Sequence, residues 1–322
     1  MTVQVSTDNA RLSIACALGA SLAFSVNDVA VRSFSASLPL HEVVLFRSII
    51  GLIFTLAVFA GGRNLLGVLR TQNLRLQIIR GLFVVVSNFT FFAGLAVLEL
   101  AEASAIFFVA PLLITAFSAI FLREYVGMRR WLALVVGMLG VLLIIKPGTV
   151  AFHWALLLPI LAATAYAGMH TLTRKIGQRD SALTMSVYIQ LTFIVVSATM
   201  GLIFGDGRFG ENAGPITAFV FRAWVMPGAL DMLVLFIAGI CSATGGYLIT
   251  QAYRSSAAGL VAPFEYSALI LAAFWGFALW GEVPGWVSIL GIVLIMGSGI
   301  FLAFREAKQN VPASAKRSMG RR

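Results

Sequence analysis

The sequence predicts an all-α integral membrane protein of ten transmembrane helices, arranged as two inverted five-helix repeats. Three observations carry this prediction: a composition too apolar for water, ten long apolar segments, and self-similarity between the two halves of the chain. Of the 322 residues, 60% are hydrophobic and 11% charged. Soluble domains carry roughly 25% charged residues, so a water-soluble fold of this size lacks the polar groups to cover itself. A hydrocarbon layer of roughly 30 Å needs about 20 apolar residues at 1.5 Å each. The chain has such runs at roughly 12–34, 42–60, 77–97, 102–122, 131–146, 153–174, 183–204, 230–252, 257–280 and 285–304.

Taken in order, the first run holds Asn27-Asp28 beyond its centre and lacks a small-residue cleavage site, so it reads as a permanent span rather than a signal peptide. Span two carries Arg47 near its start, and span four carries Pro111 among apolar neighbours. Span five is short, bracketed by Arg130 and Lys146, and must stand nearly upright or thin the bilayer. The stretch 205–229 is too polar and too rich in Gly and Pro to span, and predicts a short surface helix within the longest connection. Span nine contains Pro263 directly before Phe264-Glu265-Tyr266, where a lost helical hydrogen bond predicts a kink. Small residues in spans five and ten (Gly137, Gly140, Gly291, Gly297, Gly299) read as scaffold packing or a homodimer face.

Orientation follows from basic residues. With the N-terminus in the cytoplasm, only Arg32, Arg47, Lys146, Arg208 and Arg222 of 23 lysines and arginines fall outside cytoplasmic stretches. The positive-inside rule therefore predicts both termini in the cytoplasm. Residues 1–11 form the N-terminal segment, 12–146 and 153–304 the two repeats, and 305–322 a basic tail. That tail beside anionic lipid accounts for the net charge of +10 without nucleic acid. The loop arginines Arg63, Arg70, Arg75 and Arg80 read the same way, and Glu282 as a helix-end cap. Cys16 and Cys241 lie within spans and carry no redox information.

The repeat emerges on shifting the chain by 142 residues. ASLAFSVNDVAVR (20–32) then lies over AATAYAGMHTLTR (162–174), with Arg32 on Arg174 and Asp28 on His170. AEASAIFFVAPLL with REYVGMRRW and GMLGVLLI likewise matches SSAAGLVAPFEYS with GEVPGWVSILGIVLIMGSGI. Five spans per half is odd, so the second half enters from the opposite face, an architecture shared by many secondary transporters.

In order and spacing, NDVAVR, LFRS, RGLF, AEASAIFFVAPL, LREYVGMRRW, GVLLIIKPG, LAATAYAGMHTLTRK, AGLVAPFEYSALI and WGEVPG resemble the EamA-like branch of the drug/metabolite transporter superfamily, from about residue 12 to 304. The NDV, FRS and APFEYS details look closest to its S-adenosylmethionine and riboflavin transporters, with amino-acid exporters next. The resemblance implies ten helices, cytoplasmic termini, alternating access without ATP, and a small-molecule substrate at the bacterial inner membrane. It implies no cofactor.

Charges within the bilayer cost about 2.5–3.5 kcal/mol each on insertion scales, so their presence asks for a reason. The candidates for substrate binding or gating are Asp28, Asn27, Arg47, Asn88, Tyr166, His170, Gln190, Tyr247, Glu265 and Tyr266. Asp28 and Arg47 sit at similar depth and read as an ion pair, either lining a cavity or fixing helices one and two. Glu265 beside the Pro263 kink suits a cationic group or a proton; His170 gains interest from its symmetry with Asp28. Asn88, Gln190 and Gln251 serve as ligands or as packing glue. Tyr166, Tyr188, Tyr247 and Trp275 offer faces for a planar ligand or ordinary helix packing. Both signs of charge with several aromatics suit a zwitterionic or heteroaromatic metabolite: an amino acid, S-adenosylmethionine or riboflavin. An amino-acid or drug exporter is the alternative within the superfamily. An enzyme lacks support, because His41, His153 and His170 share no metal-binding spacing and no nucleotide loop exists. A scaffold without flux remains the reading from another class.

Overall fold

The computed structural model describes residues 7–59, 65–71, 73–121, 128–145, 153–176, 180–210, 214–255 and 264–309. Among these, regular structure is helical throughout. In chain order the helices are α1 (Thr7–Ser33), α2 (Leu40–Phe54, extended by a π-helical turn Thr55–Phe59), α3 (Leu65–Leu69), α4 (Leu74–Leu95), α5 (Leu100–Phe107), α6 (Ala110–Phe121) and α7 (Met128–Ile145). There follow α8 (Leu157–Ile176), α9 (Ala182–Phe204), α10 (Pro215–Phe221), α11 (Ala229–Ser255), α12 (Ser267–Trp280) and α13 (Trp286–Gln309). Among the described residues, six helices are long and apolar enough to cross a membrane: those within Arg11–Ser33, Leu40–Phe59, Leu74–Leu95, Trp154–Thr173, Ala182–Phe204 and Ala229–Ala252. Four shorter apolar helical segments accompany them among the described residues: Leu100–Ile114, Trp131–Ile145, Ser267–Trp280 and Trp286–Phe301. Their outer faces keep Leu22, Leu82, Leu139, Val195, Phe236, Phe277 and Val293 exposed, as the surface of a multi-pass membrane protein does.

Local chemistry sets several boundaries. The Ser181 hydroxyl accepts the Thr184 N–H at 3.0 Å and starts α9. Gly281, with φ of +67°, ends α12 in the left-handed conformation that glycine adopts without strain. The predicted fourth span is two helices, because Pro111 cannot donate to a carbonyl one turn back and the chain breaks between Phe107 and Ala110. The helix predicted in the 205–229 connection is α10, started by Pro215 at its first turn. It does not merely lie on the surface: Phe219 is fully buried, and α10 packs on α2 and α4. The Pro263 kink lies outside the described residues.

The extensive helix pairs are α1 with α11, α4 with α8, α2 with both α9 and α11, and α7 with α13. At the α7–α13 crossing, glycine permits backbone contact. A Cβ on Gly140 would lie 2.7 Å from the Gly291 carbonyl, and one on Gly291 would lie 2.6 Å from that of Gly140. Gly137 and Gly299 are also taken up within the chain, against Leu112 and the Tyr266 hydroxyl, whereas Gly297 meets nothing within 4 Å. Arg80 departs from the loop reading. It is buried in α4, donating from Nε to Gln77 Oε1 at 3.2 Å and from Nη2 to the Met185 carbonyl at 2.6 Å. An arginine whose fork is filled by protein acceptors ties α4 to α9 rather than facing headgroups.

Candidate functional site

Four predicted residues converge where α1, α2 and α4 meet. Arg47, 1% exposed, donates from Nη1 to Asn27 Oδ1 at 3.0 Å and from Nη2 to Asn88 Oδ1 at 2.8 Å. Asn27 Nδ2 in turn donates to Asp28 Oδ1 at 3.0 Å. The direct Asp28–Arg47 ion pair expected from their depth is therefore replaced by a relay. Consecutive residues on α1 point about 100° apart, so when Asn27 faces α2 its neighbour Asp28 faces aside. The guanidinium also lies 5.6 Å from the Phe92 ring centre and 5.5 Å from that of Phe193, within range of cation–π attraction. Hydrogen bonds and ring faces together offset part of the cost of burying this charge.

A second group begins at Phe92 and runs by ring contacts across the bundle. Phe92 meets Phe91 at 5.5 Å, Phe91 meets Phe107 at 5.3 Å, and Phe107 meets Tyr166 at 5.2 Å. Tyr166 stands edge-on to His170 at 4.4 Å. Glu265 is near enough to act electrostatically on Tyr166 and Tyr266, and Arg80 on His170. Asp28, Asn88, Phe107, Tyr166, His170 and Glu265 are all half-buried.

The remaining predicted residues divide. Gln190 is buried in the α2–α9 seam, where its amide nitrogen would sit 2.9 Å from a Cβ added to Gly51. Tyr247 stands apart: its ring stacks on Phe59 at 3.9 Å, and its hydroxyl accepts from Gln251 Nε2 at 3.4 Å. Tyr266 is buried with its ring 5.4 Å from Phe108 and its hydroxyl pressed against Gly299 of α13. Tyr188 donates to the Leu69 carbonyl at 2.8 Å, and Trp275 Nε1 to the Ser25 hydroxyl at 3.3 Å. Both thus serve packing between elements.

Sequence reasoning missed the polar clasps at the two ends of the bundle. At one end Arg32 forms a two-pronged ion pair with Glu282, which also accepts the Leu100 N–H at 3.1 Å. Arg32 further covers Trp280 at 4.2 Å. Glu282 is thus a cap, but of a helix 182 positions away, and it joins α1, α5 and the α12–α13 turn. Beside it Trp224 Nε1 donates to His41 Nε2 at 2.6 Å, His41 Nδ1 contacts the Val220 carbonyl at 3.0 Å, and Glu42 Oε2 accepts the Val225 N–H at 3.2 Å. At the opposite end Asp180 accepts from Thr71 Oγ1 at 2.7 Å and Gln77 Nε2 at 2.6 Å. The one available signal was the repeat, which placed Arg32 on Arg174 and so marked it as more than a helix end.

Comparison with known proteins agrees with this architecture. The profile of the EamA-like transporter family matches residues 11–146 and again 153–305. A riboflavin transporter of Vibrio cholerae is 30% identical over 300 residues, covering 91% of this chain and 93% of its own. A pseudopaline exporter of Pseudomonas aeruginosa is 28% identical over 298 residues, covering 92% and 97%. An S-adenosylmethionine uptake transporter of Rickettsia felis is 26% identical over 285 residues, covering 88% and 90%. One solved crystal structure superposes with a TM-score of 0.63 at 20% identity, over 92% of this chain and 98% of that one, which speaks for the fold alone.

Proposed function

The chain belongs to the EamA-like transporter family, a multi-pass membrane transporter and not an enzyme, and from that premise we propose that it carries a small organic metabolite across the bacterial inner membrane by alternating access. In this reading ten helices cross the membrane as two inverted halves with both termini cytoplasmic. The helix pairing supports it. Exchanging the halves turns the α1–α11 pair into α8–α4, and it turns α2–α9 and α7–α13 into themselves; all four are extensive contacts. The close approach of Gly140 and Gly291 lets α7 and α13 cross at backbone contact in this arrangement.

The observation that carries the reading is the Arg47–Asn27–Asp28 relay beside the chain of rings from Phe92 to Tyr166. It offers both signs of charge and flat ring faces within the bundle, the chemistry of a site for a zwitterionic or heteroaromatic metabolite. Asp28, Asn27, Arg47, Asn88, Tyr166, His170, Gln190 and Glu265 line the transport path in this proposal, while Tyr247 and Tyr266 act through packing. Clasps at opposite ends of the bundle fit a carrier that opens to one side at a time. The named cargoes of the relatives, S-adenosylmethionine and riboflavin, are the first candidates.

The test is counterflow in proteoliposomes loaded with S-adenosylmethionine, riboflavin or an amino-acid mixture. Saturable exchange is expected with at least one of them, reduced at least tenfold by Asp28→Asn and by Glu265→Gln at equal reconstitution. No exchange with any compound would favour a membrane scaffold, and full activity of both variants would remove these carboxylates from the site.

A further inference from the structure

Arg47 has not exhausted its donors. A guanidinium presents five N–H groups in a fixed fork. Here Nη1 and Nη2 each meet a neutral amide oxygen, while Nε is buried with no partner. Asp28, the nearest negative group of the relay, reaches it only through Asn27. A buried cation with an unmatched donor is an unfavourable arrangement unless something completes it. The edge made by Nε and one Nη is the edge on which arginine takes a carboxylate in two parallel hydrogen bonds.

Across the same seam lies an unmatched acceptor. Gln190 is 6% exposed, and its Oε1 is buried without a donor. Two contacts place it opposite Arg47. Phe193, on α9 one turn beyond Gln190, sits under the guanidinium at 5.5 Å, and Gly51, on α2 one turn beyond Arg47, lies against the Gln190 amide. Residues one turn apart on a helix are about 5–6 Å apart, so the unmatched donor and the unmatched acceptor lie on facing sides of the α2–α9 seam, both sealed from solvent in this state. A carboxylate would satisfy the first and an ammonium the second, and Asp28 supplies the nearby negative charge that a cationic ligand needs.

We propose that Arg47 and Gln190 form the receptor for an amino-acid head group, so that the cargo belongs to the amino carboxylates rather than to the neutral heteroaromatics. The inference rests on the transport reading above and narrows it. Of the molecules its relatives are named for, S-adenosylmethionine carries an α-amino carboxylate and riboflavin carries no carboxylate.

Matched pairs test it on the full-length protein in detergent by ligand titration. The probes are S-adenosylmethionine against its decarboxylated form, methionine against 3-(methylthio)propylamine, and riboflavin alone. At least one acid should bind ten or more times tighter than its amine. Arg47→Lys, which keeps the charge but loses the fork, should abolish that difference, and Gln190→Leu should weaken the acid and the amine alike. Equal binding of acid and amine overturns the proposal, as does binding of riboflavin alone or of no acid at all. The wild-type pairs decide this even if the variants fold poorly. Counterflow separates the two readings: acid-selective binding without flux removes transport and leaves the receptor. Saturable riboflavin flux that survives Arg47→Lys leaves transport and removes the receptor.

Discussion

Asn27 stands between Arg47 and Asp28, accepting from the guanidinium at 3.0 Å and donating to the carboxylate at 3.0 Å. An amide can do this because it carries an acceptor and a donor on one planar group. The two charges are therefore linked without neutralising each other directly, and each keeps an edge for another partner.

Asn27→Ala should uncouple them. It strips Arg47 of its Nη1 acceptor and Asp28 of a donor inside the bundle. Leaving a buried polar group unmatched costs about 1–3 kcal/mol, more when it is charged. The expected outcome is a lower melting temperature in detergent together with loss of counterflow. An unchanged melting temperature would mean that the relay contributes nothing to the fold.

Glu282→Gln should loosen one mouth of the bundle. The carboxylate holds Arg32 of α1 and caps α5 at Leu100, so the amide loses the ion pair and half of the bidentate contact. A cysteine at Ser35, read by a membrane-impermeant thiol reagent in a background lacking Cys16 and Cys241, should label several-fold faster in this variant. Equal labelling rates would show that this ion pair does not hold that end closed.

The His41–Trp224 contact predicts an effect of acid. Trp224 Nε1 only donates, so His41 Nε2 must accept it at 2.6 Å, leaving Nδ1–H to donate to the Val220 carbonyl at 3.0 Å. Both ring nitrogens are thus used by the neutral imidazole. Protonation would turn Nε2 into a second donor facing the indole N–H, so the contact is present in the neutral form and is lost as pH falls. The charged and titratable groups around it are Glu42, whose carboxylate accepts from Val225, and Arg222, which reaches the Ser35 carbonyl. Hydrogen exchange of residues 219–228 should rise on acidification in the wild type and be raised at all pH values in Trp224→Phe. A wild-type profile flat in pH would refute the assignment of the tautomer.

Gly140 and Gly297 should respond in opposite ways to the same change. Alanine at Gly140 meets the Gly291 carbonyl, and overpacking of this kind costs about 1–3 kcal/mol. Alanine at Gly297 meets nothing within 4 Å. Gly140→Ala is expected to lower the melting temperature by several degrees and Gly297→Ala to leave it unchanged. Similar shifts for both would place the tight crossing elsewhere.

The membrane class, the positions of the long apolar helices and the helix in the 205–229 connection follow from hydropathy and from Gly and Pro, properties summed along a few neighbouring residues. Asn27, Asp28, Arg47 and Asn88 were legible for a related reason: a polar group in an apolar run is conspicuous wherever its side chain points. Direction was what the sequence could not supply. Asn27 rather than Asp28 meets Arg47, Tyr266 turns to Gly299 while Tyr166 turns to His170, and Arg80 faces into the bundle. Each outcome depends on how far a helix is rotated about its axis, and one residue changes that by about 100°. The Arg32–Glu282 pair joins residues 250 positions apart, and no local pattern encodes such a distance. Hydropathy along the chain determined which segments leave water. The packing of one helix surface on another decided which charges meet inside.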